Sequence, residues 1–323
     1  MVTFDGLVWG LRGGLSLLRD LNCALATLEV VQDMAGIRED ISLRAATGLE
    51  GGLVACGSTC GVITGGALGI ALMRAGAIDA LGERAQRMVM TEVRDYVHWF
   101  RDSFDTTTCR ERTGVDFYRV SGQLRYLLPG DRVARCLWHT GRAVSYLRRY
   151  GSAMQARPCI GGKDSTDHAR HCAIEVLRGV RRACGMGDEV LEKIAFVFDG
   201  GVAFTGGVCG ALAGAVMAAN LAFGWDIRSM GRVKSAQEFV GGHLNLLRKG
   251  KVPGRETFAV GREIMKRLTD TIPALECARI TGATFRGWDD FQSYMHTSNA
   301  CRELIAQAAK VSSEVVVRRR NPE

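Results

Sequence analysis

Proline is scarce in this chain: five residues in 323, at Pro129, Pro158, Pro253, Pro273 and Pro322. Its ring removes a backbone donor and clashes with the preceding turn, so it ends helices, and its rarity leaves long stretches free to coil. Those stretches carry Ala, Leu, Arg, Glu and Met with apolar residues three and four apart, the period of one helix face. The expected fold class is all-α. Close metal-binding pairs are also missing. No Cys-x-x-Cys occurs, and the six histidines (His98, His139, His168, His171, His243 and His296) form neither His-x-x-x-His nor His-Glu-x-x-His. No basic segment followed by an apolar run opens the chain, and eleven cysteines are too few for a small disulfide scaffold, so an exported disulfide protein is not expected. Cytoplasmic thiols that carry a metal fit better. No acid–base pair or nucleotide loop stands out, so no reaction is named and whether the chain is an enzyme is left open.

Lysine is the scarce cation, seven residues against 35 arginines, within a formal charge of +8. The arginines cluster at Arg132 and Arg135, at Arg148 and Arg149, at Arg178, Arg181 and Arg182, and at Arg318 to Arg320. Such patches suit nucleic acid, an acidic protein or an anionic membrane surface. Most fall on amphipathic helical patterns with no basic aromatic motif beside them, so solvated helix faces are the expectation and nucleic acid is not.

What is present twice is more telling. Cys23, Cys60, Cys109 and Cys136 are followed in the same order by Cys172, Cys209, Cys277 and Cys301. A shift of 149 residues carries Cys23 to Cys172, Gly51-Gly52 to Gly200-Gly201 and Cys60-Gly61 to Cys209-Gly210. Further on, Cys109, Thr113, Gly114 and Phe117 reappear as Cys277, Thr281, Gly282 and Phe285. A duplicated helical-bundle domain with internal pseudo-two-fold symmetry is expected: a first repeat over 1–150, a linker over 151–167 rich in Gly with Pro158, and a second repeat over 168–323. Two uncharged stretches, Val54 to Met73 and Val202 to Trp225, are crowded with small residues and read as the central helix of each domain, not as membrane insertions.

In both copies a glycine pair leads through a loop to a Cys-Gly that opens a helix, where free N–H groups and the helix dipole favour a thiolate. Cys277 follows the break at Pro273 and falls early in a helix. Four soft sulfur ligands suit an iron–sulfur cluster or tetrahedral zinc, and the scattered spacing leans toward iron. Cys56 is a reserve ligand in copy one only, while Cys159 and Cys184 have no counterparts. Asp199 aligns with Glu50 and reads as a helix-end cap or salt-bridge partner. His171 reads as capping or solvating, and His139 shares a face with Cys136.

The four cysteines and the box Cys209-Gly210-Ala211-Leu212-Ala213-Gly214 resemble a family of redox-active microbial proteins named for the pattern C_GCAxxG_C_C. Copy one departs from the box, reading Cys60-Gly61-Val62-Ile63-Thr64-Gly65. The family is similar to the iron–sulfur part of split-Soret cytochromes, helical dimers that also carry haem. The resemblance implies an iron–sulfur redox or electron-transfer protein with one 2Fe–2S or 4Fe–4S cluster per repeat, two per chain, held by the eight paired cysteines, and a redox partner protein. Covalent haem is not expected, since Cys-x-x-Cys-His is absent. The alternatives are a cluster-dependent enzyme reducing a small molecule, or a structural zinc or thiol protein. Homo-oligomerisation is left open.

Overall fold

The computed structural model describes residues 4–153, 169–248, 256–272 and 274–321. The first half forms α1 (Phe4–Asp20), α2 (Cys23–Ala35), α3 (Asp40–Ala46), α4 (Gly61–Met73), α5 (Ala75–Leu81), α6 (Glu83–Phe104), α7 (Cys109–Thr113), α8 (Val120–Leu127) and α9 (Asp131–Ala153). The second forms α10 (Cys172–Cys184), α11 (Glu189–Ile194), α12 (Gly210–Phe223), α13 (Arg232–Leu247), α14 (Thr257–Thr269), α15 (Cys277–Thr281), α16 (Trp288–Thr297) and α17 (Asn299–Arg320). No strand occurs among the described residues, as the all-α expectation requires. Beyond Ala153, the end of α9, the expected linker lies outside the described residues, together with Cys159.

Each half repeats one plan. In the first, α2 runs along α4 and α9 covers both; in the second, α10 runs along α12 and α17 covers both. α4 and α12 hold no charged residue and are buried nearly all round, the mark of a core helix. Leu25 and Leu28 on α2 and Ile63 and Ile70 on α4 are fully buried, each worth about 1.5–3 kcal/mol relative to exposure. No single described helix is long and apolar enough to cross a membrane, and α4 with α5 is bent by 55° at its break.

The halves pack reciprocally. α12 lies on the turn Thr47–Leu49 and α4 on its counterpart Ala195–Phe198. Reciprocal contact of equivalent surfaces is what a two-fold arrangement produces. The centre of that arrangement is marked by Thr59 and Val208, equivalent under the 149-residue shift. The Val208 N–H donates to Thr59 Oγ1 at 2.8 Å. The two Cys-Gly helix starts, at Cys60 and Cys209, therefore flank the pseudo-axis.

Candidate thiol site

The loop before each Cys-Gly is built in an uncommon way. Gly51 and Gly52 have positive φ, and so do Leu53, Val54 and Ala55; the same holds for Gly200, Gly201, Val202, Ala203 and Phe204. Five successive left-handed residues are costly for side chains with a β-carbon, above all for β-branched Val54 and Val202. The run persists because its surroundings enforce it. A β-carbon on Gly52 would meet the Ser58 carbonyl oxygen at 2.4 Å, and one on Gly201 would meet Gly207 backbone at 2.5 Å. The run reverses the chain and delivers Ser58 and Thr59 beside Thr108.

There a single antiparallel bridge joins Thr59 to Thr108, and its copy joins Val208 to Glu276. The Cys60 N–H donates to the Thr107 carbonyl at 2.8 Å and the Cys109 N–H to Ser58 at 2.7 Å; in the second half Cys209 donates to Leu275 at 2.8 Å and Cys277 to Gly207 at 2.6 Å. These bonds set Cys60 beside Cys109, and Cys209 beside Cys277. Cys23 and Cys172 come in from α2 and α10. Gly61 and Gly65 allow this approach, since a β-carbon at Gly61 would lie 2.5 Å from Cys23 Sγ and one at Gly65 2.3 Å from the Ala24 carbonyl oxygen. The small residues of the box are thus a helix-crossing device that places one thiol against another.

Each quartet is drawn into one neighbourhood. Cys60 and Cys109 both act on Cys23, Cys23 acts on Cys60, Cys60 and Cys136 act on Cys109, and Cys136 feels Cys60. Cys172 likewise feels Cys209, Cys277 and Cys301. Six of the eight stand at helix starts: Cys23, Cys109, Cys172 and Cys277 as first residues, Cys60 and Cys209 as N-caps. All ten described cysteines are free thiols. Cys56 stands apart, with Sγ 3.4 Å from the Tyr118 hydroxyl. Cys184 Sγ lies 3.2 Å from the Val180 carbonyl oxygen.

Within this symmetry the chemistry is unequal. Cys60 is lowered to about 6, first by the hydrogen bond from Cys23, against the cost of burial, and then by the Arg112 charge and the N–H groups of Val62 and Ile63. Its sulfur makes no full capping bond to α4, yet those N–H groups still favour its charge. Cys23 moves the other way, because it keeps the shared proton and is itself buried in protein. The start of α2 offers it little, since Asn22 Oδ1 already accepts from the N–H groups of Ala24 and Leu25 at 3.1 Å each. Burial pushes Cys109 well up and Cys136 to about 11, the latter moderated by the Tyr126 hydroxyl.

In the second half no thiol is lowered. Burial takes Cys209 up to about 11 despite the N–H groups of Leu212 and Ala211, and Cys172, Cys277 and Cys301 are also raised, in each case chiefly by burial. The Cys172 Sγ lies 3.7 Å from Met295 Sδ. The cation is missing too: Arg112, three residues after Cys109, corresponds to Ile280, three after Cys277. Arg112 is buried between elements, its guanidinium 4.5 Å over Phe100 and 5.1 Å over Phe104, and it donates to His139 Nδ1.

The paired acids also diverge. Asp199 accepts from the Cys172 N–H at 3.0 Å and pairs with His171 Nδ1 at 2.6 Å, which fulfils its expected capping role. Glu50 has no such partners. Its Oε2 is buried without a hydrogen bond, its Oε1 is 4.0 Å from His243 Nε2, and burial followed by the charge of Glu256 raises it to about 8.

Residues 21–150 and again 170–315 match the family described as "Putative redox-active protein (C_GCAxxG_C_C)". The chain belongs to this family. No curated protein and no solved structure matches it. Where the family's description writes Gly-Cys-Ala, this C_GCAxxG_C_C chain reads Thr59-Cys60-Gly61 and Val208-Cys209-Gly210, so the box is met with substitutions around an unchanged cysteine.

The structure corrects the expected metal chemistry. Among the described residues no group of three or more His, Cys, Asp or Glu side chains is placed to hold a metal ion. This overturns the iron–sulfur function, the 2Fe–2S or 4Fe–4S clusters expected at Cys23, Cys60, Cys109 and Cys136 and at Cys172, Cys209, Cys277 and Cys301, and the zinc and cluster-enzyme alternatives. The physical reason is that matching order along the chain establishes neighbourhood, not convergence of three sulfurs on one point. The terms iron–sulfur, metal-binding and redox-active thereby lose the centre that was to carry them in this C_GCAxxG_C_C protein. Arg112 was missed from sequence. Its signal was a charge at a duplicated position whose partner, Ile280, is apolar.

Proposed function

We propose that the first repeat is a thiol-exchange site in which Cys60 is the nucleophile and Cys23 its proton source. The observation that carries this reading is the setting of the Cys60 sulfur: a thiol donor on one side, the open N–H groups of α4 ahead, and the Arg112 cation within reach. Cys60 thiolate attacks one sulfur of a disulfide, a Cys60–sulfur bond forms as the disulfide bond breaks, and the departing thiolate takes the proton from Cys23. The thiol of a reducing partner then gives its proton to Cys23 and attacks the bound sulfur, a new disulfide forming as the Cys60–sulfur bond breaks, which restores Cys60 as a thiolate and Cys23 as a thiol. Electrons balance without a metal, since one disulfide is exchanged for another at each step.

On this reading Cys109 and Cys136 complete the pocket, and the second repeat is a structural copy whose thiols remain protonated. The repeats act as two domains, 1–150 and 168–323, joined at the pseudo-axis. Cys60 is buried and Cys23 and Cys136 half-buried, so entry runs past the latter two and favours small disulfides. A reducing compartment, the cytoplasm, keeps such thiols available.

Treatment with oxidised glutathione followed by peptide mass spectrometry tests the assignment. The mixed disulfide is expected on Cys60, abolished in Cys60→Ser and slowed in Cys23→Ser. Equal modification of Cys60 and Cys209 would overturn it.

A further inference from the structure

The exposed apolar surface is concentrated on one group of neighbouring helices. Of the 16 exposed large hydrophobic residues among those described, 13 lie on α1, α8 with its following Leu128, α9 and α13. α1 packs on α9 and touches α13, α8 packs on α9, and Gln123 of α8 donates to the His243 carbonyl of α13. The stripes follow helix periodicity. Leu7, Leu11, Leu15 and Leu18 recur on one side of α1, Leu11 and Leu15 being 62% and 64% exposed. Val120, Leu124 and Leu127 do the same on α8, and Val233, Val240 and Leu244 on α13.

α1 is held firmly with that stripe outward. A β-carbon on Gly13 would meet Val144 at 2.8 Å and one on Gly141 the Gly10 carbonyl oxygen at 2.7 Å, so the glycine side of α1 is seated against α9. Between the two helices runs an open groove of about 470 Å³ lined by the α1 leucines, Trp138 and Arg142. Trp138 is 56% exposed. Two Trp–Arg pairs stand here, Arg142 5.7 Å from the Trp138 ring and Arg12 4.7 Å from the Trp9 ring.

The charge on these helices decides between occupants. α9 carries five arginines against Asp131 alone, α8 has Arg125 and no acid, and α13 has Arg232 and Lys234 against Glu238. Arg12, Arg142, Arg232 and Lys234 make no ion pair among the described residues. A second copy docking by the same face would set these cations against their own kind. We propose that this face docks on the surface of an anionic lipid bilayer, with the leucine stripe of α1 and Trp138 entering the interface and the arginines meeting headgroups. Leucine and tryptophan on one face with arginine at its rim is the composition of helices that lie in a membrane interface without crossing it.

The inference is independent of the thiol chemistry, and its test uses the whole chain. Flotation with phosphatidylcholine vesicles, with and without phosphatidylserine, should show binding only when phosphatidylserine is present. Leu11→Asp with Leu15→Asp should abolish it, and Arg12→Glu with Arg142→Glu should weaken it about tenfold or more. Circular dichroism checks that each variant is folded, and Leu7→Asp with Leu18→Asp replaces the first pair if it is not. Absence of binding to either vesicle would overturn the proposal, as would binding indifferent to phosphatidylserine. So would a dimer in sedimentation velocity that the leucine variants dissolve while vesicles bind nothing.

Discussion

Thr59 and Val208 hold the same place in the two repeats and are bonded to each other, the Val208 N–H donating to Thr59 Oγ1 at 2.8 Å across a buried contact. Equivalent residues can meet only at the symmetry centre, so this bond is the joint of the duplicated fold. Thr59→Val keeps the shape and strands the Val208 N–H, at a cost of roughly 1–3 kcal/mol. Thr59→Ser should restore most of it. Urea unfolding of the three proteins measures the difference, and equal stability of Thr59→Val and the parent would show that the joint does not depend on this bond.

Gly61 decides how closely α4 approaches Cys23. Adding a β-carbon 2.5 Å from Cys23 Sγ must push the thiol aside and lengthen the hydrogen bond that chiefly lowers Cys60. Gly61→Ala is therefore expected to raise the Cys60 titration by about one unit and to destabilise the fold by about 1–3 kcal/mol through overpacking. Alkylation of Cys60 by iodoacetamide as a function of pH reports the first effect. An unmoved profile would mean that Cys23 does not set the Cys60 charge.

Much of this architecture was legible before any coordinates. The uncharged stretches gave core helices α4 and α12 because a helix apolar all round has nowhere to go but the interior, and the 149-residue register gave the duplication. The placement of Cys277 at a helix start followed from Pro273 upstream. Other features carried no signal. Nothing in Leu53-Val54-Ala55 announces left-handed backbone, since β-branched Val54 argues against it and only the packing around Gly51 and Gly52 imposes it. The helix-start argument weighs N–H donors without burial or neighbours: at Cys60 the Cys23 thiol and the Arg112 charge carry most of the lowering and the N–H groups add to it, while at Cys209 the same N–H groups are outweighed by burial. Convergence on a metal failed for a related reason: the spacing of residues along helices does not specify where their sulfurs point.

Arg112 is the largest chemical difference between the repeats. Arg112→Ile installs the residue found at Ile280 and leaves the space against Phe100 and Phe104 filled by an apolar side chain. Loss of the nearby cation should raise the Cys60 titration by about one unit and slow its alkylation severalfold near neutral pH, whereas Arg112→Lys should recover part of the rate. Lysine keeps the charge without the planar guanidinium, so recovery with lysine assigns the effect to charge, and an equal loss in both variants would assign it to the placement of the guanidinium.

Glu50 makes stability depend on pH in a predictable direction. Its carboxyl is raised from 4.5 to about 8 in the fold, so between those values the unfolded chain releases a proton that the folded protein retains. Its stabilising contribution is complete below the unfolded value and is lost as pH rises through about 8. Neighbouring His243 works oppositely. Burial lowers it from 6.5 to about 4, so its contribution is present above the unfolded value and lost as pH falls through about 4. The two slopes offset each other over the shared range, and from about neutral to pH 8 Glu50 pulls stability down while Cys60, lowered from 9.0 to about 6, pushes it up. Comparing Glu50→Gln with the parent cancels every other group, since glutamine keeps the shape and cannot ionise. The variant should gain on the parent steadily as pH rises, by up to roughly 4 kcal/mol across the full window. Urea unfolding at about pH 5, 6.5 and 8 measures that gain, and parallel stability curves for the two proteins would show that Glu50 ionises as freely in the fold as out of it.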